Sequence, residues 1–253
     1  TQILNNMKIK HLLCFIALCL FFTPGKAQQL SVMTLRNGAT VYIWEDKSKP
    51  DVFGMIAFKV GSVDDPEQYT GLAHYLEHVM FKGTQTIDAL DWEKEKPIYE
   101  KIIAKYDERA ALSDPAAREA IDKEINDLTR EAAQYAAGNE FSLLVDHMGG
   151  QGLNASTGYD QTEYHNSFPP SQLEKWLEIY SERLIGPVFR GFQTELEAVY
   201  EEYNMYNDDR GSRMREFIYE QAFGDHPYAR PIIGLPEHLK NPQLSKLIDF
   251  YNT

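Results

Sequence analysis

The chain has 253 residues, a formal net charge of -13 and 43% hydrophobic residues. That apolar content supports a globular core and argues against a disordered chain, and the acidic balance argues against nucleic acid or an anionic membrane as partner. Both cysteines, Cys14 and Cys19, lie near the start, so the rest of the chain has no thiol for metal ligation, nucleophilic attack or disulfides.

Lys8, Lys10 and His11 precede an apolar run from Leu12 to Phe22, and "TPGKA" follows it. A basic flank, a short apolar centre and a small residue at Ala27 read as an export signal over residues 1–27, too short to cross a bilayer. No later run approaches that length, so no transmembrane span is expected in the mature chain, residues 28–253. The leader implies a periplasmic or secreted protein, soluble or membrane-associated. "LSVMTLRNGATVYIWED" predicts two short strands around a turn at Asn37-Gly38. "VFGMIAFKVGS" predicts a third strand, apolar on both faces and therefore central in a sheet backed by helix. "TGLAHYLEHVMFKGT" predicts a helix capped by Thr70, stopped by Gly83 and anchored through Leu72, Leu76 and Val79.

Residues 88–137 are charged and helix-favouring, with a break at Ser113-Asp114-Pro115. They predict a helical hairpin, with Ile121, Ile125, Leu128 and Ala132 as an apolar stripe. The expectation is a surface insertion packed by its own stripe. "EFSLLVDHMGG" predicts a helix ended by Gly149-Gly150, and two extended segments follow around Gly158, with Thr162 and Tyr164 sharing one side. "SQLEKWLEIYSERL" is a strongly periodic helix. "TELEAVYEEYNMYNDD" and "RMREFIYEQAF" predict two more, separated near Gly211, and a loop-rich stretch leads to a last helix in "PQLSKLIDFYNT". The fold class is α+β, with a mixed or antiparallel sheet packed against helices.

His74 and His78 are four apart, so on a helix both imidazoles reach one point, and Glu77 stands beside them. Two imidazoles leave a zinc site short of a third protein ligand. The helix beginning near Thr194 offers Glu195 and Glu202, two turns apart on one face, with Glu197 and Glu201 off that line. Spacing favours the first pair without selecting the ligand. His147 and His165 read as ordinary surface or cleft residues, and His226 and His238 as loop residues that could contact substrate but are not chosen as site residues. The arginines of "RGSRMREF" either orient substrate carboxylates or balance acids. Gly149, Gly150 and Gly152 make no phosphate loop, since no Lys-Ser or Lys-Thr pair follows.

"HYLEH" fits the inverted zinc-protease motif H-x-x-E-H. With "GLAHYLEHVMFKGT", "GGQGLNASTGYDQTEY" and "ELEAVYEEYNM" in that order, the chain resembles the pitrilysin/insulinase family of metallopeptidases, which includes mitochondrial processing peptidase. The resemblance runs from about Leu30 to Thr253 apart from the helical insertion. It implies a pitrilysin-like half-domain and a zinc-dependent endopeptidase acting on peptides or unfolded polypeptides, with one zinc per active site. His74, His78 and Glu202 would be the metal ligands, Glu77 the general base and Glu195 a supporting carboxylate. Asn154 and Ala155 would line the cleft beside the substrate. The resemblance also implies a second homologous domain or subunit completing a chamber, so residues 28–253 would be a truncated N-terminal peptidase domain, weak or inactive alone. The alternative is a non-catalytic partner or scaffold subunit of a two-part peptidase assembly.

Overall fold

A computed structural model describes residues 30–253. The expected leader, both cysteines and the cleavage position after Ala27 lie outside the described residues. The chain divides at Pro50 into two compact units. In the first, β1 (Leu30–Thr34) and β2 (Thr40–Trp44) form an antiparallel hairpin with Leu30 opposite Trp44. Its turn is the expected one: Gly38 takes φ 88°, and Asn37 Oδ1 accepts a hydrogen bond from the Ala39 N–H.

The second unit, Asp51–Thr253, opens with β3 (Val52–Phe58) and continues with α1 (Leu72–Val79). Then come α2 (Trp92–Ala111), α3 (Pro115–Ala132) and α4 (Glu140–His147), followed by β4 (Gln151–Thr157) and β5 (Thr162–Phe168). The unit ends with α5 (Leu173–Ile185), α6 (Phe192–Asp208), α7 (Arg210–Phe223), the short α8 (Pro236–Leu239) and α9 (Leu244–Tyr251). The architecture is α+β.

The sheet order is β3-β5-β4, with both pairings antiparallel. The central strand is therefore β5, not β3 as its apolar residues suggest. Alternation explains the difference: β5 buries Thr162, Tyr164, Asn166 and Phe168, whereas β3 leaves Phe53 and Met55 exposed. One apolar face of β3 is thus uncovered, which composition does not reveal. On its covered face Gly54 pairs with Asn166, and any Cβ there would lie 2.6 Å from the Trp176 ring. Trp176 stacks on Phe168, and Asn166 Oδ1 accepts hydrogen bonds from Trp176 Nε1 and the Tyr180 hydroxyl, both at 2.7 Å. These contacts fix α5 to the sheet.

The hairpin of α2 and α3 forms where expected, with Asp114 capping α3 through the Ala117 N–H and Pro115 at its first turn. It is not packed by its own stripe alone. Ile98, Ile102, Tyr106, Ile121 and Ile125 belong to the common core. Tyr106 packs against Phe192 with ring centroids 4.8 Å apart, and the buried Glu95 takes both prongs of Arg190 at 2.6 and 2.8 Å. The break between α6 and α7 falls at Asp209, which leaves helical geometry and accepts from the Ser212 N–H at 2.7 Å. Gly211 lies inside α7. An aspartate N-cap sets the boundary more strongly than a nearby glycine.

Candidate metal centre

The short α1 is held at both ends by distant side chains. At its start, buried Asp65 accepts from the Gly71 N–H at 2.7 Å and the Ala73 N–H at 2.9 Å. Burial pushes this carboxyl up to about 7, against the pull of those two donors and of Arg230. Thr70, the expected cap, is engaged elsewhere: its hydroxyl meets His238 Nδ1 at 2.8 Å and accepts from the Leu235 N–H. Gly71 sits at φ 89°, where a Cβ would come within 2.5 Å of the Ile233 carbonyl. At the other end the helix stops at Val79, with Met80 as C-cap, before Gly83 is reached. Arg183, fully buried, donates from Nε to the Met80 carbonyl at 2.9 Å, and its guanidinium lies 4.2 Å from the centroids of Phe81 and Tyr164.

The buried apolar residues of α1 are Ala73, Tyr75 and Val79, with Met80 buried at its C-cap and Leu72 and Leu76 only half-buried. Burying a side chain of that size contributes about 1.5–3 kcal/mol. The Tyr75 hydroxyl donates to the Phe192 carbonyl and so ties α1 to the start of α6. Helix α6 buries Phe192, Leu196 and Val199 and turns Glu195 and Glu202 toward α1. Glu197 instead accepts from Gln193 on the exposed side, and Glu201 is exposed.

Two imidazoles and one carboxylate converge. His74 Nε2 lies 3.6 Å and His78 Nε2 3.5 Å from the same oxygen, Glu202 Oε2. One ligand atom from each of the three residues falls within 4.8 Å of the others, a group that could hold a metal ion. Ligand atoms about 2.0–2.2 Å from a tetrahedral zinc stand roughly 3.4 Å apart, so these separations fit an ion between them and are too long for hydrogen bonds. On its other side His78 presents Nδ1 to Glu195 at 3.6 Å, and Glu195 is also paired with Lys82. Burial, with the neighbouring His78, pushes His74 down to about 4, so its imidazole is neutral near pH 7. Burial also pulls on His78, but Glu195 and Glu202 outweigh it and hold the imidazole up at about 9. His78 in turn lowers both carboxylates below their ordinary range.

Glu77 is buried and points into the same cleft, of about 450 Å³. Burial raises its carboxyl, opposed by a hydrogen bond from Thr157 Oγ1 at 2.6 Å and by His78. Asn154, Ala155, Tyr159, Tyr206 and Arg215 line the cleft. Every site residue expected from the sequence thus comes to one region, and the other candidates separate from it. His238 serves Thr70, His226 accepts from the Tyr228 N–H, and His147 is exposed at the end of α4. None of His147, His165, His226 and His238 lines the cleft, and of the arginines in α7 only Arg215 does. Sequence reasoning missed Thr157 and Asp65. The first was signalled by strand alternation, which puts residue 157 on the same side as Ala155.

A family model described as insulinase, peptidase family M16, matches residues 40–96 and 127–235. The chain belongs to the insulinase family. The residues between the two matched segments fall within the α2–α3 hairpin. Among members, an uncharacterised zinc protease of Mycobacterium leprae is 25% identical over 194 residues, covering 76% of this chain and 32% of its own length. A zinc protease of Helicobacter pylori is 25% identical over 224 residues, 87% of this chain and 39% of its own. The chain therefore spans about a third of the length of these relatives. The fold is shared with a solved Helicobacter pylori protease (TM-score 0.65, 22% identity, 88% of this chain and 43% of that one). Pitrilysin is likewise similar (TM-score 0.62, 22% identity, 90% of this chain and 20% of that one). No helix among the described residues is long and apolar enough to cross a membrane.

Proposed function

We propose that this insulinase-family chain is the zinc-binding N-terminal part of an endopeptidase that hydrolyses peptides or unfolded polypeptides. The observation that carries the reading is the convergence of His74, His78 and Glu202 at metal-binding separations, with the Glu77 carboxylate beside them in an open cleft. A zinc ion held by those three residues supplies Lewis acidity, which lowers the pKa of water and polarises a carbonyl. Glu77 takes the proton of the attacking water on its carboxylate and returns it to the leaving amine. Glu195 orients the His78 ring from its Nδ1 side, a carboxylate–histidine arrangement that supports metal ligation. Among the described residues β4 is an edge strand, so its backbone groups are open to an added peptide strand, with Asn154 and Ala155 beside it.

Because the chain spans about a third of its relatives, a second, homologous half is proposed to complete the chamber, with residues 28–253 contributing the zinc side and residues 88–137 an inserted hairpin. The basic and apolar leader supports export to a periplasmic or extracellular setting. The test is zinc content and peptide hydrolysis by the full-length protein and its Glu77→Gln variant. The variant is expected to keep its zinc and to lose about 10²- to 10⁴-fold in kcat. If both proteins hold zinc and neither cleaves any member of a diverse peptide pool, the scaffold alternative replaces this reading.

A further inference from the structure

Among the described residues, Glu77 receives one side-chain hydrogen bond, from Thr157 Oγ1 to Oε2 at 2.6 Å. That length is typical of a hydroxyl donating to a carboxylate. The donor is neutral. It fixes the direction of one carboxylate oxygen without adding a charge beside it. Thr157 is also the last residue of β4, paired with Thr162 across the sheet. Just beyond it the chain is anchored, because the Gly158 and Tyr159 carbonyls accept from the Ser62 and Val63 N–H groups at 3.1 and 3.0 Å. Packing is close there, since a Cβ on Gly61 would lie 2.4 Å from the Tyr159 carbonyl. The opposite end of β4 is irregular, with a register shift between Gln151 and Asn154. One strand thus carries both the open edge for a peptide and the hydroxyl that holds the base.

We propose that Thr157 is a positioning residue that sets the Glu77 carboxylate for proton transfer and links its placement to occupation of the β4 edge by a peptide. The inference rests on the endopeptidase reading of the cleft. A peptide added along β4 straightens the irregular half of the strand against its anchored end, and Thr157 passes that constraint to Glu77. Catalytic groups lose rate steeply with small misplacements, by roughly 10²-fold for 1 Å.

The test compares full-length wild type with Thr157→Val, which keeps shape and removes the donor, and with Thr157→Ser, which restores it. On a fluorogenic peptide, Thr157→Val is expected to keep its zinc, hold KM within about twofold and lose roughly 10- to 100-fold in kcat. Thr157→Ser should recover most of that loss. An unchanged kcat in Thr157→Val, a rise in KM alone, or a serine variant as slow as valine overturns the proposal. A second readout does not depend on turnover: the infrared band of the ¹³C-labelled Glu77 carboxylate, assigned by its loss in Glu77→Gln. It is expected to shift in Thr157→Val and return in Thr157→Ser. Adding a non-cleavable peptide should move it in wild type and not in Thr157→Val. A band indifferent to residue 157, or moved equally by peptide in both proteins, overturns the inference. Absence of any peptidase activity in wild type with the band behaving as expected would instead count against the proposed function alone.

Discussion

The α2–α3 hairpin and the α1–α6 cleft use the same charged residue types to opposite ends. In the hairpin, charges are closed on each other: Glu95 is satisfied by a two-pronged Arg190, and Lys105 reaches Glu124 at 2.7 Å. In the cleft, His74, His78 and Glu202 stand 3.5 and 3.6 Å apart, beyond hydrogen-bond reach yet aimed at a common point. A charged cluster becomes a site when its coordination is left open, not when its charges are numerous. The first kind of cluster stabilises the fold, and the second gives up stability to hold a ligand.

The contrast can be broken most forcefully at Glu95. Glu95→Ala strands Arg190 in a largely buried position and should lower unfolding free energy by roughly 3 kcal/mol, measured by urea denaturation, while zinc stoichiometry stays at the wild-type value. Asp65 gives an effect of the same order spread over pH, as a buried carboxylate whose partners lie on α1 and in the 230s loop. Its folded pKa of about 7 is raised above the ordinary 3.8. The stability it contributes is therefore fully present below about pH 4 and lost as pH rises through about 7, at up to about 1.4 kcal/mol per pH unit. The stability difference between wild type and Asp65→Asn, followed from pH 4.5 to 7, should fall with rising pH, and a flat difference would remove Asp65 from this role. Glu195→Gln sharpens the comparison at the cleft: zinc affinity should drop about 10- to 100-fold by competition with a chelator, with the melting behaviour of the metal-free protein little changed. Smallest is Lys105→Ala, which removes solvent-screened pairs with Glu108 and Glu124 and should leave the urea denaturation midpoint almost unchanged.

What the sequence made legible follows from local periodicity. Four-residue spacing put His74 and His78 on one helical face, and seven-residue spacing aligned Glu195 with Glu202. Asn37-Gly38 and Pro115 marked a turn and a helix start. What escaped was set by contacts between remote segments. Asp65 caps α1 from six residues before Gly71, a distance at which adjacent-residue capping rules are blind. The hairpin joins the core through Glu95 and Arg190, which are 95 residues apart. Thr157 meets Glu77 only because β4 ends beside α1, and the edge position of β3 depends on which strands pair with it.

The length of α1 has its own consequence. Eight residues are too few to persist as a helix in water. The ladder that stacks one imidazole above the other therefore exists only once Asp65 and Arg183 have closed on its two ends. An unfolded or nascent chain has no preformed pincer to seize an ion. Assembly accordingly has a direction: the convergence of His74, His78 and Glu202 forms with the tertiary fold, not before it.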